Sequence, residues 1–277
     1  MSCNYRGRVG QKLLQALTLL VIMTMHFVVQ AEPVETKALE FWDDVEPESR
    51  LKVNHTAWQS TLDKYLDDKS PTGINRFNYD NVTEQDKEAL QEYVEFLQNY
   101  DPRQFNLQEQ KAYWLNLYNA AVVSLVLREE PNKSIRELRS GAFSSGPWRR
   151  KMFKIATKKL SLNDIENGIL RPFIKDSRIH YALSAATLSC PNLQKQAYTG
   201  TNVEALLDQA AYSYINHQRG VAVLGSKVKL SQMYDWYQDD FGDVMAHLKK
   251  YAEKDLAVAL TGVREIDYDY DWGLNKP

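Results

Sequence analysis

Cys190 and His180 are the two residues whose types and spacing could do chemistry together. The chain holds two cysteines, and Cys3 lies at the extreme N-terminus, so Cys190 stands alone in everything that follows. It sits in Asp176-Ser-Arg-Ile-His180-Tyr-Ala-Leu-Ser-Ala-Ala-Thr-Leu-Ser189-Cys190-Pro191, ten residues after His180. A thiol within reach of an imidazole is a nucleophile with its general base. Ser189 and Pro191 suit a helix cap and first turn. A helix starting there would put Cys190 at its positive end, which stabilises a thiolate. Ten residues of helix span roughly 15 Å, so the pair meets only if Tyr181 to Ala186 is a strand or bent segment. Against this stands the ordinary behaviour of free cysteine, which is mostly buried as a small hydrophobe. A third possibility is a mixed disulfide with a partner.

Other residues could assist. Asn116 and Asn119 are three apart and share one helix face; one could orient His180 or donate to a substrate carbonyl, or both could tie down loop backbone. Asp164 and Glu166 read as cap and first-turn residues. Arg171, Asp176 and Arg178 read as an ion-pair cluster around the Cys–His segment. The basic run Arg149-Arg150-Lys151, continued by Lys154, Lys158 and Lys159, could receive an anionic ligand, although a solvated hairpin face is the simpler reading. His55, His180, His217 and His247 show no metal-ligand spacing, so no metal or cofactor is expected. Asn54, Asn81 and Asn132 head Asn-x-Ser/Thr sequons, relevant only in a host that glycosylates.

The elements that must position these groups follow from periodicity and turn chemistry. Residues 32–52 are acidic and proline-bearing, an irregular arm that Phe41-Trp42 tacks to the body. A helix is expected from near Asn54, with Trp58, Leu62 and Leu66 on one face. A second is expected from the capping box at Thr83, through Leu90, Val94 and Leu97. The third, from about Leu107 to Arg128, is apolar on nearly every face and includes Tyr113, Trp114, Asn116 and Asn119, which marks it as central and buried. Hairpins are expected at Met152–Ile155 with Lys158–Leu162, and at Val221–Leu224 with Lys227–Leu230 through a Gly225-Ser226 turn. Helices are expected after Asn163, after Asn202, and from about Asp243 to Leu260. The tail Ile266–Trp272 reads as an edge strand or strap. The fold class is α+β: a mainly helical single domain, residues 53–277, around a central buried helix, with a small antiparallel sheet of hairpins.

Residues 1–31 read as an export signal, with Arg6, Arg8 and Lys12 before the apolar Leu13–Val29 and small-residue cleavage geometry at Val29-Gln30-Ala31. Retention as a membrane anchor is the alternative. Cleavage near Ala31 moves the formal charge from −2 to −5, which leaves no global attraction to nucleic acid. The expected product is a soluble periplasmic or secreted protein acting on an envelope ligand or protein partner, its oligomeric state open.

Trp114-Leu-Asn116-Leu-Tyr118-Asn119-Ala120, Leu160 to Arg171, Asp176-Ser-Arg178-Ile-His180, Ser189-Cys190-Pro191, Ala197-Tyr198-Thr-Gly200, Trp236-Tyr237-Gln-Asp-Asp240-Phe241 and Tyr270-Asp271-Trp272 resemble the domain-of-unknown-function 547 family. The resemblance runs over about residues 105–275. It implies that the family's cysteine and histidine fall on Cys190 and His180 and its paired asparagines on Asn116 and Asn119. It implies exported bacterial members, with related domains elsewhere beside glutaredoxin-like or leucine-zipper segments, but no settled activity and no substrate. Two functions remain open from the sequence. One is a thiol-dependent hydrolase or acyl transferase using Cys190 and His180 with Asn119 or Asn116, and Tyr113, Trp114 and Arg178 near the substrate. The other is a non-catalytic envelope binding protein with an aromatic groove of Tyr113, Trp236, Tyr237 and Trp272.

Overall fold

A computed structural model describes residues 34–138 and 146–277; the expected export signal lies outside them. Three helices build the first half. Helix α1 (Thr56–Tyr65) and helix α2 (Glu84–Leu97) turn Trp58, Leu62, Leu90, Tyr93, Val94 and Leu97 inward. Thr83 caps α2 by accepting from the Asp86 N–H, as the sequence leads one to expect. Helix α3 (Leu107–Glu129) is the axis they pack on, and every residue from Glu109 to Val123 is buried. Asn106 caps its start, and Glu130 ends it in the left-handed region at φ 45°, with Pro131 preventing continuation.

Three small sheets surround these helices. β1 (Leu66–Asp67) pairs with β2 (Arg76–Phe77), and β3 (Phe153–Ile155) with β4 (Lys158–Leu160), both antiparallel. Both expected hairpins are present, the second as β5 (Val221–Leu224) and β6 (Lys227–Ser231), with Gly225 at φ 65° in its turn. β7 (Glu265–Asp269) adds to β6 in parallel, so the aromatic-acidic tail is an edge strand. The sheet is therefore mixed rather than purely antiparallel.

The segment after Asn163 departs from an ordinary helix. Asp164–Ile174 is a π-helix with Pro172 inside it. Proline has no N–H to donate, so neither Asn167 nor Gly168 can receive its bond there, in π or α register respectively. The N-terminal arm supplies the missing donors: Lys37 N–H binds the Asn167 carbonyl at 3.2 Å and Leu39 N–H the Gly168 carbonyl at 2.9 Å. Gly168 permits this approach, since a Cβ there would lie 2.8 Å from the Leu39 side chain. The arm is thus docked, and Trp42 is buried edge-on against Trp114 at 5.3 Å. Phe41 stays partly exposed beneath the cations of Arg103 and Lys158.

Short α4 (Ile179–Ala182) carries His180, and α5 (Val203–Ile215) follows a long irregular stretch. Then α6 (Met233–Trp236), α7 (Gln238–Phe241), α8 (Val244–Tyr251) and α9 (Lys254–Thr261) close the chain around a second apolar cluster centred on Tyr181, Tyr214, Tyr234 and Leu248. The single last helix expected from Asp243 to Leu260 is two, broken after Tyr251.

Candidate functional site

No helix begins at Cys190. After α4 the chain is extended, Ala186 turns it at φ 57°, and residues 187–202 remain irregular up to α5. The Ser189–Pro191 reading is therefore corrected: the helix-end field expected to act on the thiol is not there. Instead Cys190 is 3% exposed. Its S–H donates to the Thr187 carbonyl at 3.0 Å, with Ser184 Oγ 3.3 Å away, and its own N–H reaches Thr187 Oγ1. A carbonyl is only an acceptor, so this contact exists while the sulfur carries its proton.

His180 is committed elsewhere. Its Nε2 lies 2.7 Å from Asp240 Oδ2 on α7, and its ring stacks on Tyr237 at 4.1 Å. No hydrogen bond joins it to Cys190, so the expected nucleophile–base pair is not formed. Arg171 of the π-helix grips both oxygens of Asp240, through Nε at 2.5 Å and Nη2 at 3.0 Å. Its Nη1 donates to Asn167 Oδ1 and to the Val34 carbonyl of the arm. Burial alone would raise the Asp240 carboxyl, but the donors on His180 and Arg171 outweigh it and hold the group at about 2. Alongside, Glu166 accepts from the Tyr118 hydroxyl. Burial, and then the charge of Glu166, push the Tyr237 hydroxyl well above its ordinary range. A polar cavity of about 210 Å³, bordered by Arg171, Lys175, Asp176 and Asp240, adjoins this cluster.

Sequence reasoning missed Asp240 as the partner of His180, because sixty residues separate them; the only signal was the acidic pair following Trp236-Tyr237. It also misassigned Arg171. Arg178 does form an ion cluster, with Asp176, Glu204 and Asp208, but Arg171 belongs to the histidine.

Both asparagines hold backbone. Asn116 donates to the Tyr198 carbonyl and accepts the Tyr198 N–H. Asn119 donates to the Ala182 carbonyl at 2.8 Å and accepts the Ser184 N–H at 2.9 Å. Each side-chain amide thus replaces a strand neighbour for a loop that has none, and neither hydrogen-bonds His180. Tyr113 and Trp114 are wholly buried in the core, so the groove imagined from Tyr113, Trp236, Tyr237 and Trp272 is not assembled. Trp236 and Trp272 do meet, 5.5 Å apart and each in contact with Tyr270, all half-buried and with Arg136 over Trp272. In the basic run, Arg150 pairs with Glu129 and Lys151 with Asp164, whereas Lys154, Lys158 and Lys159 have no carboxylate partner among the described residues.

Two other histidines carry a pH prediction. His55 is held by Tyr93 through Nδ1 while its buried Nε2 has no partner; burial lowers it from 6.5 to about 4. His247, stacked on Tyr181 and bonded to its hydroxyl, is lowered to about 4, by burial first and by Lys250 second. Between pH 6.5 and 4 the unfolded chain then binds protons that the folded chain refuses. Stability should be full above pH 6.5 and fall as pH drops toward 4. The loss is on the order of 3 kcal/mol for His55 and less for the more exposed His247. Thermal melts across this range should flatten in His55→Gln/His247→Gln; an unchanged slope would contradict the assignment.

Among the described residues no group of three or more His, Cys, Asp or Glu is placed to hold a metal ion, and no helix is long and apolar enough to cross a membrane. The geometry defines a mainly helical α+β domain built on a buried axis, with a His–Asp–Arg cluster and an enclosed cysteine that share no hydrogen bond. Residues 102–215 match the model of a family described as "Protein of unknown function, DUF547", and the resemblance to that family is thus shown over this segment. The match includes α3, the π-helix, His180, Cys190 and α5, and stops short of Asp240. No curated protein and no solved structure matches the chain.

Proposed function

We propose that this is an exported envelope protein that acts by binding, and that Cys190 is structural. One observation carries the reading: the Cys190 proton is spent on the Thr187 carbonyl inside the fold while His180 is spent on Asp240. A cysteine hydrolase needs a reachable sulfur with a base beside it, whereas Cys190 is buried and His180 is bonded to Asp240. Trp236 and Trp272 of the expected aromatic groove, half-buried and joined by Tyr270, remain to contact a ligand, since aromatic rings with one wet face are favoured at recognition surfaces. Export rests on the leader at residues 1–31.

The test is iodoacetamide labelling of the native protein across pH, beside complementation by Cys190→Ala. Cys190 should label only after denaturation, and the folded alanine variant should complement. Rapid native labelling that rises with pH, or a folded Cys190→Ala that fails to complement, would restore the thiol hydrolase.

A further inference from the structure

A groove of about 560 Å³ lies on a different part of the surface, between the arm and the start of α3. Val45, Pro47, Leu51 and Leu107 give it an apolar lining, and two of these are among the most exposed large hydrophobics of the molecule, Leu51 at 53% and Leu107 at 40%. Large apolar side chains gathered in one concave place and left to water mark a binding surface more than a packing fault.

The charge at the groove has one sign free. Arg50 and Lys52 line it, are exposed, and have no ion-pair partner among the described residues. Glu109 is the one carboxylate in the lining, and it is used up on the N–H groups of Val53 and Gly200. It keeps its charge, but both of its oxygens face these N–H groups and form no ion pair with the two cations. Glu46 and Glu48, on the same stretch of chain, do not line the groove. Two exposed cations against one buried carboxylate leave the lining net positive beside an apolar trough, which complements an anion that carries an apolar body.

We propose that this groove binds a single-chain anionic amphiphile, an acyl or alkyl chain with a carboxylate or phosphate head. The head meets Arg50 and Lys52, and the chain lies on Leu51, Leu107, Val45 and Pro47. An extended acidic peptide fits less well, because its backbone needs regular partners and the wall offers few. The buried Gln108 Oε1 is without a hydrogen-bond donor, and it is a single acceptor rather than a ladder. The inference goes beyond the binding reading, since this groove shares no residue with the Trp236–Tyr270–Trp272 cluster.

The experiment is calorimetric titration of the whole protein with dodecanoate below its micelle concentration, alongside decanoate, octanoate, dodecyl phosphate, dodecanol and an oligoglutamate peptide. Dodecanoate should bind, and each two-carbon shortening should weaken binding by up to about fifteenfold, since one buried methylene is worth about 0.8 kcal/mol, close to a fourfold change. Dodecanol should bind at least about tenfold more weakly, and added salt should weaken dodecanoate but not dodecanol. Comparing dodecanoate with dodecyl phosphate distinguishes the two head groups. Arg50→Ala/Lys52→Ala removes only exposed, unpaired side chains, so it should melt like the wild type while losing the preference for the charged ligand. Leu107→Ser should weaken both ligands alike. No dodecanoate binding, binding indifferent to chain length or to these substitutions, or binding of oligoglutamate alone would each overturn the proposal. None of those results would bear on whether Cys190 is enclosed, which labelling decides separately.

Discussion

Arg171→Ala is expected to destabilise the protein by about 3–5 kcal/mol, the usual cost of removing one member of a buried ion pair. The guanidinium makes four hydrogen bonds at once: two to Asp240, one to Asn167 and one to the Val34 carbonyl. Without it Asp240 keeps only His180, and the arm loses a point of attachment to the π-helix. Arg171→Lys should recover only part of the loss, because an ammonium cannot present the planar fork that meets both carboxylate oxygens. Acid denaturation gives a second readout with a defined sign. Asp240 is held at about 2 against an ordinary 3.8, so its contribution is present above about pH 4 and disappears as pH falls toward 2. In Arg171→Ala the carboxyl should be less depressed, so this acid limb should still begin near pH 4 but be smaller and end at higher pH. Urea midpoints that move by less than about 1 kcal/mol, with an unchanged acid limb, would show the cluster to be incidental.

The parts of this architecture written locally in the chain were legible. Helix α3 announces itself because its apolar residues cover all faces, which only a central helix tolerates, and the Thr83 cap and the Gly225 turn are set by neighbouring residues. The candidate site was harder because its bonds are long-range. His180 finds Asp240 across sixty residues, and no local pattern distinguishes that aspartate from its neighbour Asp239. The π-helix was hidden for a different reason: Pro172 reads as a helix breaker, whereas here the arm, more than a hundred residues earlier, supplies donors for the stranded carbonyls. The helix start expected at Cys190 rested on Ser-Cys-Pro having that composition, yet the segment's backbone partners are the Asn119 amide, Tyr214 and the C-terminal tail. Those contacts, such as Leu188 N–H to the Gly273 carbonyl and the Tyr214 hydroxyl to the Ser189 carbonyl, leave no trace in the local sequence.

Asn119→Ala should cost about 2–6 kcal/mol, since it leaves the buried Ala182 carbonyl and Ser184 N–H unpaired at about 1–3 kcal/mol each. Its more telling effect concerns Cys190. Ser184 sits 3.3 Å from the sulfur, and Asn119 is what fixes the Ser184 backbone. Loosening that backbone should open the cysteine locally, so native labelling by iodoacetamide should accelerate beyond what lost global stability explains. Asn116→Ala is the matched control. It also strips two backbone bonds from a buried loop, at Tyr198, but that loop makes no hydrogen bond to Cys190. At equal stability, adjusted with urea, Asn119→Ala should label faster than Asn116→Ala. Equal rates would mean that the cysteine is sealed by the fold as a whole, and that the paired asparagines differ only in which loop they hold.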